Sequence, residues 1–234
     1  MRVVVPFDAT DPKTRLDPVL DATERRAFSE RMLRDVVSAV DAAGGRPEVI
    51  TTAPLGSESE FEFESESESE SESEFDFERD READRPVEVR VDDRPLSTVV
   101  NDTIDAVSED EELAVVVADL ALATPTALSR LFETEGEVVV APGRGAGTNA
   151  LVVRTPEFRV DYHGTSFLDH LGIARSLGIE PTVVDSFRLA TDVDEPADLV
   201  EVLVHGEGHA HEWLDARFEL VVDDAEGRVS IERV

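Results

Sequence analysis

Five charged residues lie at places along this chain where they could do chemistry on a phosphorylated ligand. Lys13, the single lysine, is separated from Arg15 by one residue in a loop after the first apolar run, and two such cations can converge on phosphate oxygens. Asp119 ends another apolar run, while Asp192 and Asp194 alternate along an extended segment. If the loops converge, the three carboxylates would repel one another unless a cation such as Mg²⁺ lay among them. Taken singly, each acid also suits an ordinary strand-end, helix-capping or surface position.

A glycine-rich segment over residues 142–149 is a second candidate for anion binding. Its glycines let backbone amides approach an anion closely, and Thr148 adds a hydroxyl. The segment matches neither a Walker loop nor a dinucleotide fingerprint. Gly164 and Ser166 lie at the start of a predicted helix, where Ser166 and Asp169 form a capping-box-like pattern with Ser166 as the cap. Free amides at such a helix end can hold a phosphate or carboxylate. Asn101 is by default a helix cap, with a nucleotide base or ribose contact as the alternative.

The elements that must position these residues alternate between strands and helices. This pattern predicts a single α/β domain over residues 1–234, with a mostly parallel central sheet. Ligands of such sheets bind beyond the carboxyl ends of the strands, where the charged and glycine-rich loops lie. Strands are expected at Val3–Phe7, Pro47–Thr51, Val87–Val91, Leu113–Ala118, Glu137–Ala141 and Thr182–Val184, and a hairpin at Glu219–Val222 and Arg228–Ile231, while Ala150–Val153 is a further short apolar run. Helices are expected at Pro18–Ala43, Asn101–Val107, Ser166–Leu177 and Pro196–Val204, with a further one opening at Thr124 and Pro125.

Composition narrows the class of protein. The net charge is −32, and the low-complexity Ser/Glu stretch at 56–85 carries −11 of it. The rest of the chain therefore has a net charge of −21. We interpret the acidic excess and the near absence of lysine as adaptation to molar salt, where the Debye length is only about 3 Å. The negative charge disfavours nucleic-acid binding. No apolar stretch of the sequence is long enough for a membrane helix. We therefore expect a cytoplasmic protein with a disordered acidic insertion at 56–86. Cysteine is absent, and His205, His209 and His211 are interpreted as a solvated segment.

Taken together, the motifs resemble one enzyme family, the 2-phospho-L-lactate guanylyltransferases of archaeal coenzyme F420 biosynthesis. The resemblance covers nearly the whole chain except about 56–86. It rests on an ordered set of segments: Val5–Phe7, Lys13–Leu16, Ala118–Leu120, Ala141–Leu151, Tyr162–Phe167 and Leu189–Leu199.

The resemblance implies a Rossmann-like, GT-A-like nucleotidyltransferase fold with helices on both faces of the sheet. It also implies Mg²⁺-dependent transfer of GMP from GTP to 2-phospho-L-lactate, giving lactyl-2-diphospho-5'-guanosine and pyrophosphate, in a homodimer. Carried over by position, the metal ligands would be Asp119, Asp192 and Asp194, and the acceptor ligands Thr148, Gly164 and Ser166. Lys13 and Arg15 would contact the triphosphate and share the catalytic role with Asp119, and Asn101 is the further candidate for a nucleotide contact.

Two other functions remain open at this point. One is a guanylyltransferase for a different acceptor, such as phosphoenolpyruvate, 3-phosphoglycerate or a pterin phosphate. The other is a non-catalytic nucleotide-binding scaffold whose acidic segment at 56–86 docks a partner. A phosphomonoester is largely anionic near neutral pH, since its second pKa is about 6, so the lack of an evident general base does not exclude catalysis. Because the diphosphate product is reactive, we expect its hand-over to the next transferase.

Overall fold

The computed structural model describes residues 1–55, 87–106, 111–223 and 227–234. Its central sheet contains the strands β1 (Arg2–Phe7), β2 (Arg46–Thr51), β3 (Glu88–Val91), β4 (Leu113–Val116), β5 (Val138–Pro142), β6 (Thr148–Val153) and β7 (Thr182–Val183). They lie in the order β3-β2-β1-β4-β6-β5-β7. Only β6 runs against its neighbours, β4 and β5, and the other neighbouring pairs are parallel. The predicted mostly parallel sheet is confirmed.

Helices connect the strands. A 3-10 helix at Thr14–Leu16 follows β1, and the α-helices are α1 (Ala22–Ala42), α2 (Leu96–Ala106), α3 (Pro125–Glu133), α4 (Ser166–Ser176), α5 (Phe187–Ala190), α6 (Pro196–His205) and α7 (His209–Asp215). The predicted hairpin is present as β8 (Phe218–Asp223) and β9 (Arg228–Arg233). None of the helices in the described part of the chain is long and apolar enough to cross a membrane.

Alternation along the apolar strands gives the sheet two buried faces. On one face Val3 and Val5 pack in a core with α1, α3 and α5. On the other face Val4 packs in a second core with α2 and α4. A third core joins α1, α6 and α7 around Phe28 and Trp213, whose ring centroids are 5.5 Å apart. The expected placement of helices on both faces of the sheet is therefore confirmed.

Three local predictions need correction. Helix α1 begins at Ala22 and not at Pro18, because Asp21 and Glu24 form a capping box there. Helix α2 begins at Leu96 and not at Asn101, because Pro95 already accepts from the amides of Thr98 and Val99. The segment after His205 is helix α7, whose buried Ala210, Trp213 and Leu214 belong to the third core. The predicted insertion at 56–86 lies outside the described residues.

Candidate active site

Three loops bring a lysine and two aspartates to one point beyond the carboxyl ends of β1 and β4. Lys13 lies in the loop after β1, Asp119 in the loop after β4, and Asp194 in the loop before α6. Lys13 Nζ donates to Asp119 Oδ2 at 2.5 Å and to Asp194 Oδ1 at 2.7 Å. The Val193 amide donates to the Asp119 carbonyl at 3.2 Å, which ties the two acidic loops together. The charged loops that the sequence singled out thus meet in the fold.

The backbone is strained at this point. Lys13 has φ 56° and ψ 43°, in the left-handed region that residues other than glycine seldom adopt. Within the described residues, the only other non-glycine residue with positive φ is Ala146, at φ 66° in the glycine-rich loop. Such conformations cost about 1–3 kcal/mol each and cluster at functional sites. Both strained positions lie in loops that the sequence assigned to ligand binding.

Charge is only partly balanced where these loops meet. The side chains of Lys13, Asp119 and Asp194 are 12%, 24% and 42% exposed. Burial disfavours the charged form of Lys13, yet the two carboxylates outweigh burial and raise the pKa of its ammonium above the ordinary value. Burial raises the pKa of Asp119, because the Lys13 ammonium offsets only part of this effect and Asp192 and Asp194 lie nearby. The Lys13 ammonium is bonded to two carboxylates, Asp192 lies near them, and the exposed Arg15 guanidinium lies 3.6 Å from Asp194, so additional positive charge would stabilise the group.

The glycine-rich loop is joined to the acidic loop that contains Asp192. Asn149 Nδ2 donates to Asp192 Oδ1 at 3.0 Å and to the Leu189 carbonyl at 3.0 Å. Arg144, in the same glycine-rich loop, forms an ion pair with Asp198 at the start of α6. These contacts fix Asp192 beside the strand that contains Thr148.

The chemistry of the donor set fits a hard divalent cation, although the three acids are not already gathered around one position. In the part of the chain that the structure describes, no group of three or more acidic, histidine or cysteine side chains is already arranged to hold a metal ion. The Lys13 ammonium lies between Asp119 and Asp194, and Asp192 is bonded to Asn149. However, Asp119 Oδ1 is buried and has no hydrogen-bond partner among the described residues. A buried carboxylate oxygen without a partner is costly, so this atom favours an incoming cation.

Three other predicted site residues have different surroundings. The Arg15 side chain is 69% exposed and lies 3.6 Å from Asp194 Oδ2, so it is free to reach a ligand. Gly164 has φ 40° in the turn before α4. Asn101 lies within α2, where its side chain donates to the Val160 carbonyl at 3.0 Å and accepts from the Val160 amide at 2.8 Å. These two bonds join α2 to the segment before α4, and this geometry gives no support to the predicted nucleotide contact of Asn101.

The expected helix caps also differ from the structure. Glu195, not Asp194, is the N-terminal cap of α6, and the Asp198 side chain accepts from the amides of both residues. The Asp194 carboxylate is therefore available to Lys13. Thr165, not Ser166, is the N-terminal cap of α4. The Ser166 hydroxyl instead accepts from the Thr148 amide at 3.0 Å, which brings two of the predicted acceptor ligands together.

A buried histidine supports the predicted acceptor ligands. His170, fully buried in α4, bonds through Nδ1 to Thr148 Oγ1 at 2.8 Å and through Nε2 to the Asp161 amide at 3.0 Å. Burial lowers the pKa of His170 to about 4, with Asp161 and Asp169 opposing the shift and His163 adding to it. The imidazole is therefore neutral at physiological pH.

A cavity of about 510 Å³ opens from the Lys13 site across the carboxyl ends of four strands. Its walls run from Asp119 after β4 and Lys13 after β1, past Thr52 after β2, to Asp92 and Arg94 after β3. Three strand spacings separate its two ends, or about 14 Å, which is enough for a nucleoside phosphate. At the far end Asp92 accepts from Arg94 Nε at 2.9 Å and Nη2 at 2.8 Å. Thr148, Gly164, Ser166 and Asp192 lie outside the residues that line this cavity.

Sequence reasoning missed four residues that contribute to this region. Asp92 and Arg94 follow a strand of the sheet, so the rule that found the other loops would also have found this one. His170 lies four residues after Ser166, a spacing that places both side chains on the same face of α4. Asn149 was read only as part of the glycine-rich motif, and its bond to Asp192 depends on folding that local sequence does not reveal.

Substitution at Gly143 is expected to disturb the acidic loop through Asn149. An added Cβ at Gly143 would overlap the Asn149 side-chain amide, whereas at Gly145, in the same loop, it would meet nothing within 4 Å. Gly143→Ala should therefore displace Asn149 and with it Asp192, lowering kcat about tenfold to a hundredfold. Gly145→Ala is the matched control for the steric effect, because its added Cβ should leave Asn149 and Asp192 in place. Steady-state assays of both variants test this, and equal activity of the two would contradict it.

His170 is expected to make the fold acid-sensitive. Well above the ordinary histidine pKa of about 6.5, the imidazole is neutral in both the folded and the unfolded chain. As the pH falls toward 4, the unfolded chain binds a proton that the folded chain, with its pKa lowered to about 4, does not. This group should therefore remove up to roughly 3 kcal/mol from the free energy of unfolding across that interval. Urea unfolding at a series of pH values in concentrated KCl, compared with His170→Gln, isolates the effect. Parallel pH profiles for the two proteins would contradict it.

Two solved structures share the fold at low sequence identity. A structure described as a nucleotide-diphospho-sugar transferase, from Desulfovibrio desulfuricans G20, has a TM-score of 0.65 at 11% identity and covers 92% of this chain and 93% of its own. A nucleotidyl transferase from Methanothermobacter thermautotrophicus has a TM-score of 0.56 at 14% identity, covering 88% and 97%. These likenesses confirm the predicted nucleotidyltransferase-like fold.

Two curated relatives are similar at the level of sequence, and both are named 2-phospho-L-lactate guanylyltransferase. The relative from Halomicrobium mukohataei is 53% identical over 234 residues and covers 100% of both chains. The relative from Haloferax volcanii is 56% identical over 214 residues, covering 92% of this chain and 90% of its own. These haloarchaeal relatives fit the salt adaptation predicted from composition. A family model described as "Guanylyl transferase CofC like" matches residues 1–233. The chain therefore belongs to the CofC-like guanylyl transferase family.

Proposed function

We propose that this protein transfers the GMP moiety of GTP to 2-phospho-L-lactate, forming lactyl-2-diphospho-5'-guanosine and pyrophosphate. The observation that carries the proposal is the meeting of Lys13, Asp119 and Asp194 at the mouth of a nucleotide-sized cavity. The acceptor is the one named for the relatives with which the chain shares about half of its residues. Family membership and site chemistry thus support the same reaction.

The reaction forms one bond and breaks one bond at the α-phosphorus of GTP. A phosphate oxygen of 2-phospho-L-lactate attacks this phosphorus, and the bond to the bridging oxygen of the β-phosphate breaks, so that pyrophosphate leaves. The attacking group is already largely ionised near neutral pH, since its second pKa is about 6. No general base is needed, and the protein must supply alignment and charge compensation.

The charged side chains of the site divide this task. Lys13 and Arg15 compensate the charge of the triphosphate, and the Arg15 side chain is 69% exposed and so accessible to it. Asp119, Asp192 and Asp194 would hold Mg²⁺, with the Lys13 ammonium moving from the carboxylates to the phosphates. When bound, this ion supplies neutralisation of the charge on the transferring phosphoryl group. Thr148, Gly164 and Ser166 contact the anionic groups of the acceptor.

A pyrophosphate-release assay tests the proposal directly. Purified protein in concentrated KCl with Mg²⁺ is supplied with GTP, ATP, CTP or UTP, and with 2-phospho-L-lactate, phosphoenolpyruvate or 3-phosphoglycerate. We expect release with GTP and 2-phospho-L-lactate, and mass spectrometry should identify the diphosphate product. Turnover only with phosphoenolpyruvate would redirect the acceptor assignment, and no release with any pair would overturn the enzyme assignment.

Assembly and location stay predictions. We expect a homodimer, a cytoplasmic location, and hand-over of the reactive product to the next transferase. The non-catalytic alternative, a scaffold that docks a partner through residues 56–86, concerns a segment outside the described residues. Deleting residues 57–84 and measuring both turnover and partner binding separates the enzyme from the scaffold. Unchanged turnover with loss of partner binding would assign a docking role to this segment.

A further inference from the structure

The hydrogen bonds of His170 determine which of its nitrogens holds the proton. The Asp161 backbone amide lies 3.0 Å from Nε2, and a backbone N–H can only donate. Nε2 must therefore be the unprotonated nitrogen that accepts. A neutral imidazole has its one hydrogen on the other nitrogen, Nδ1. Nδ1 lies 2.8 Å from Thr148 Oγ1, so in this pair the imidazole donates and the threonine oxygen accepts.

This assignment fixes the direction in which the Thr148 hydroxyl can act. Because Oγ1 accepts from His170, its own hydrogen must point to a different acceptor, and no hydrogen bond among the described residues uses it. Ser166 is in the same situation, since its Oγ accepts from the Thr148 amide at 3.0 Å, and that amide can only donate. Two neighbouring hydroxyl groups thus have free hydrogens.

The imidazole is held in place by the residues around its ring. His170 is fully buried, and its ring meets Tyr162 edge-on at a centroid distance of 5.0 Å and Phe158 at 6.0 Å. The Tyr162 hydroxyl is itself buried and has no partner among the described residues. Both ring nitrogens are hydrogen-bonded, as buried polar atoms require, and one of the two bonds is directed to a predicted acceptor ligand.

We propose that His170 is a positioning residue for the phosphorylated acceptor: its Nδ1–H holds the Thr148 oxygen as an acceptor, so that the Thr148 hydroxyl donates to an anionic oxygen of the substrate. The inference rests on the proposed function and deepens it. Hydroxyl donors suit this position, because they recognise a phosphate or carboxylate without adding cations that would compete with Lys13 for Asp119 and Asp194. His170 acts through Thr148 and does not itself touch the substrate.

Two substitutions at one position separate the two hydrogen bonds of the ring. The side-chain amide of asparagine places a donor near the Nδ1 position, whereas that of glutamine places an acceptor near the Nε2 position. His170→Gln should keep the bond to Asp161 and lose the donor to Thr148, raising the KM for 2-phospho-L-lactate about tenfold to a hundredfold with the KM for GTP unchanged. His170→Asn should restore most of the acceptor affinity. His205→Gln, an exposed histidine at the end of α6, is the control and should match wild type.

A double-mutant cycle then tests whether the effect passes through the Thr148 hydroxyl. In a Thr148→Val background, His170→Gln should cause no further rise in the acceptor KM. Two results would overturn the inference and leave His170 as a packing residue. One is a fall in kcat together with equal rises in the KM values for GTP and for 2-phospho-L-lactate, and the other is the same acceptor KM in His170→Gln and His170→Asn. Absence of turnover in the wild-type protein would instead overturn the proposed function, so the two failures are distinguishable. Calorimetric binding of 2-phospho-L-lactate to each variant without GTP gives a second readout.

Discussion

Replacing Asp119 by asparagine is expected to lower kcat/KM at least about a thousandfold while the protein stays folded. The substitution keeps the shape of the side chain and removes its charge. The Asp119 carboxylate accepts from Lys13 through Oδ2, and its buried Oδ1 has no hydrogen-bond partner among the described residues. Any cation that compensates the transferring phosphoryl group would depend on this carboxylate. The measurement is steady-state pyrophosphate release in concentrated KCl with saturating Mg²⁺.

The control for this prediction is another aspartate at a carboxyl end of the sheet. Asp185 follows β7, is exposed, and lies outside the residues that line the cavity. Asp185→Asn should retain wild-type kcat/KM, and thermal unfolding of both variants should show intact folds. Removing the negative charge also relieves the excess of carboxylates around Lys13, so Asp119→Asn should not reduce stability severely. Activity within tenfold of wild type would contradict the role given to Asp119.

Replacing Lys13 by methionine is expected to damage both activity and stability. Methionine has nearly the same length without the charge, so Asp119 and Asp194 lose their shared counter-ion. Breaking a fully buried pair costs about 3–5 kcal/mol, and the partial exposure of these side chains reduces the expected loss to about 1–3 kcal/mol. The loss of phosphate compensation should lower kcat/KM for GTP by at least about a hundredfold. Urea unfolding in KCl with a chelator and steady-state kinetics measure the two effects.

A second substitution separates these two roles of Lys13. Adding Asp194→Asn to Lys13→Met removes one of the repelling carboxylates and should restore much of the lost stability without restoring activity. Mg²⁺ should raise the melting temperature of Lys13→Met more than that of the wild type, since the ammonium no longer competes for Asp119 and Asp194. Additive stability changes for Lys13→Met and Asp194→Asn, or an equal rise in melting temperature with Mg²⁺ for Lys13→Met and wild type, would contradict the idea that Lys13 occupies the position of a cation.

Local signals were enough to predict most elements and the loops of the candidate site. The apolar run at Leu113–Ala118 predicts a buried strand, which the structure has at Leu113–Val116, and the strand-end rule then places Lys13, Asp119 and Asp194 at one edge of the sheet. The direction of strand β6 could not be predicted. All six of its residues are buried, and a strand buried on both faces has the same sequence pattern whether it is parallel or antiparallel to its neighbours.

Contacts between distant residues account for the other differences. The sequence predicted Lys13 as a residue open to phosphate, but in the fold its ammonium is bonded to two acids 106 and 181 residues away. Likewise, Asn101 bonds to Val160, which is 59 residues away, and does not open a helix. Spacing along a chain indicates which side chains share an element and does not determine which of them pair across elements.

The ion-paired amine of Lys13 has a practical consequence. Because every other basic side chain apart from histidine is a guanidinium, Lys13 holds the only side-chain amine in the whole sequence. Reductive methylation with ¹³C-formaldehyde would therefore label this one side chain and the amino terminus, giving a nearly background-free NMR spectrum. The chemical shift of that single resonance would report directly on whether the ammonium leaves Asp119 and Asp194 when GTP binds. The composition that suits the protein to salt thus also provides it with a built-in spectroscopic probe at its candidate site.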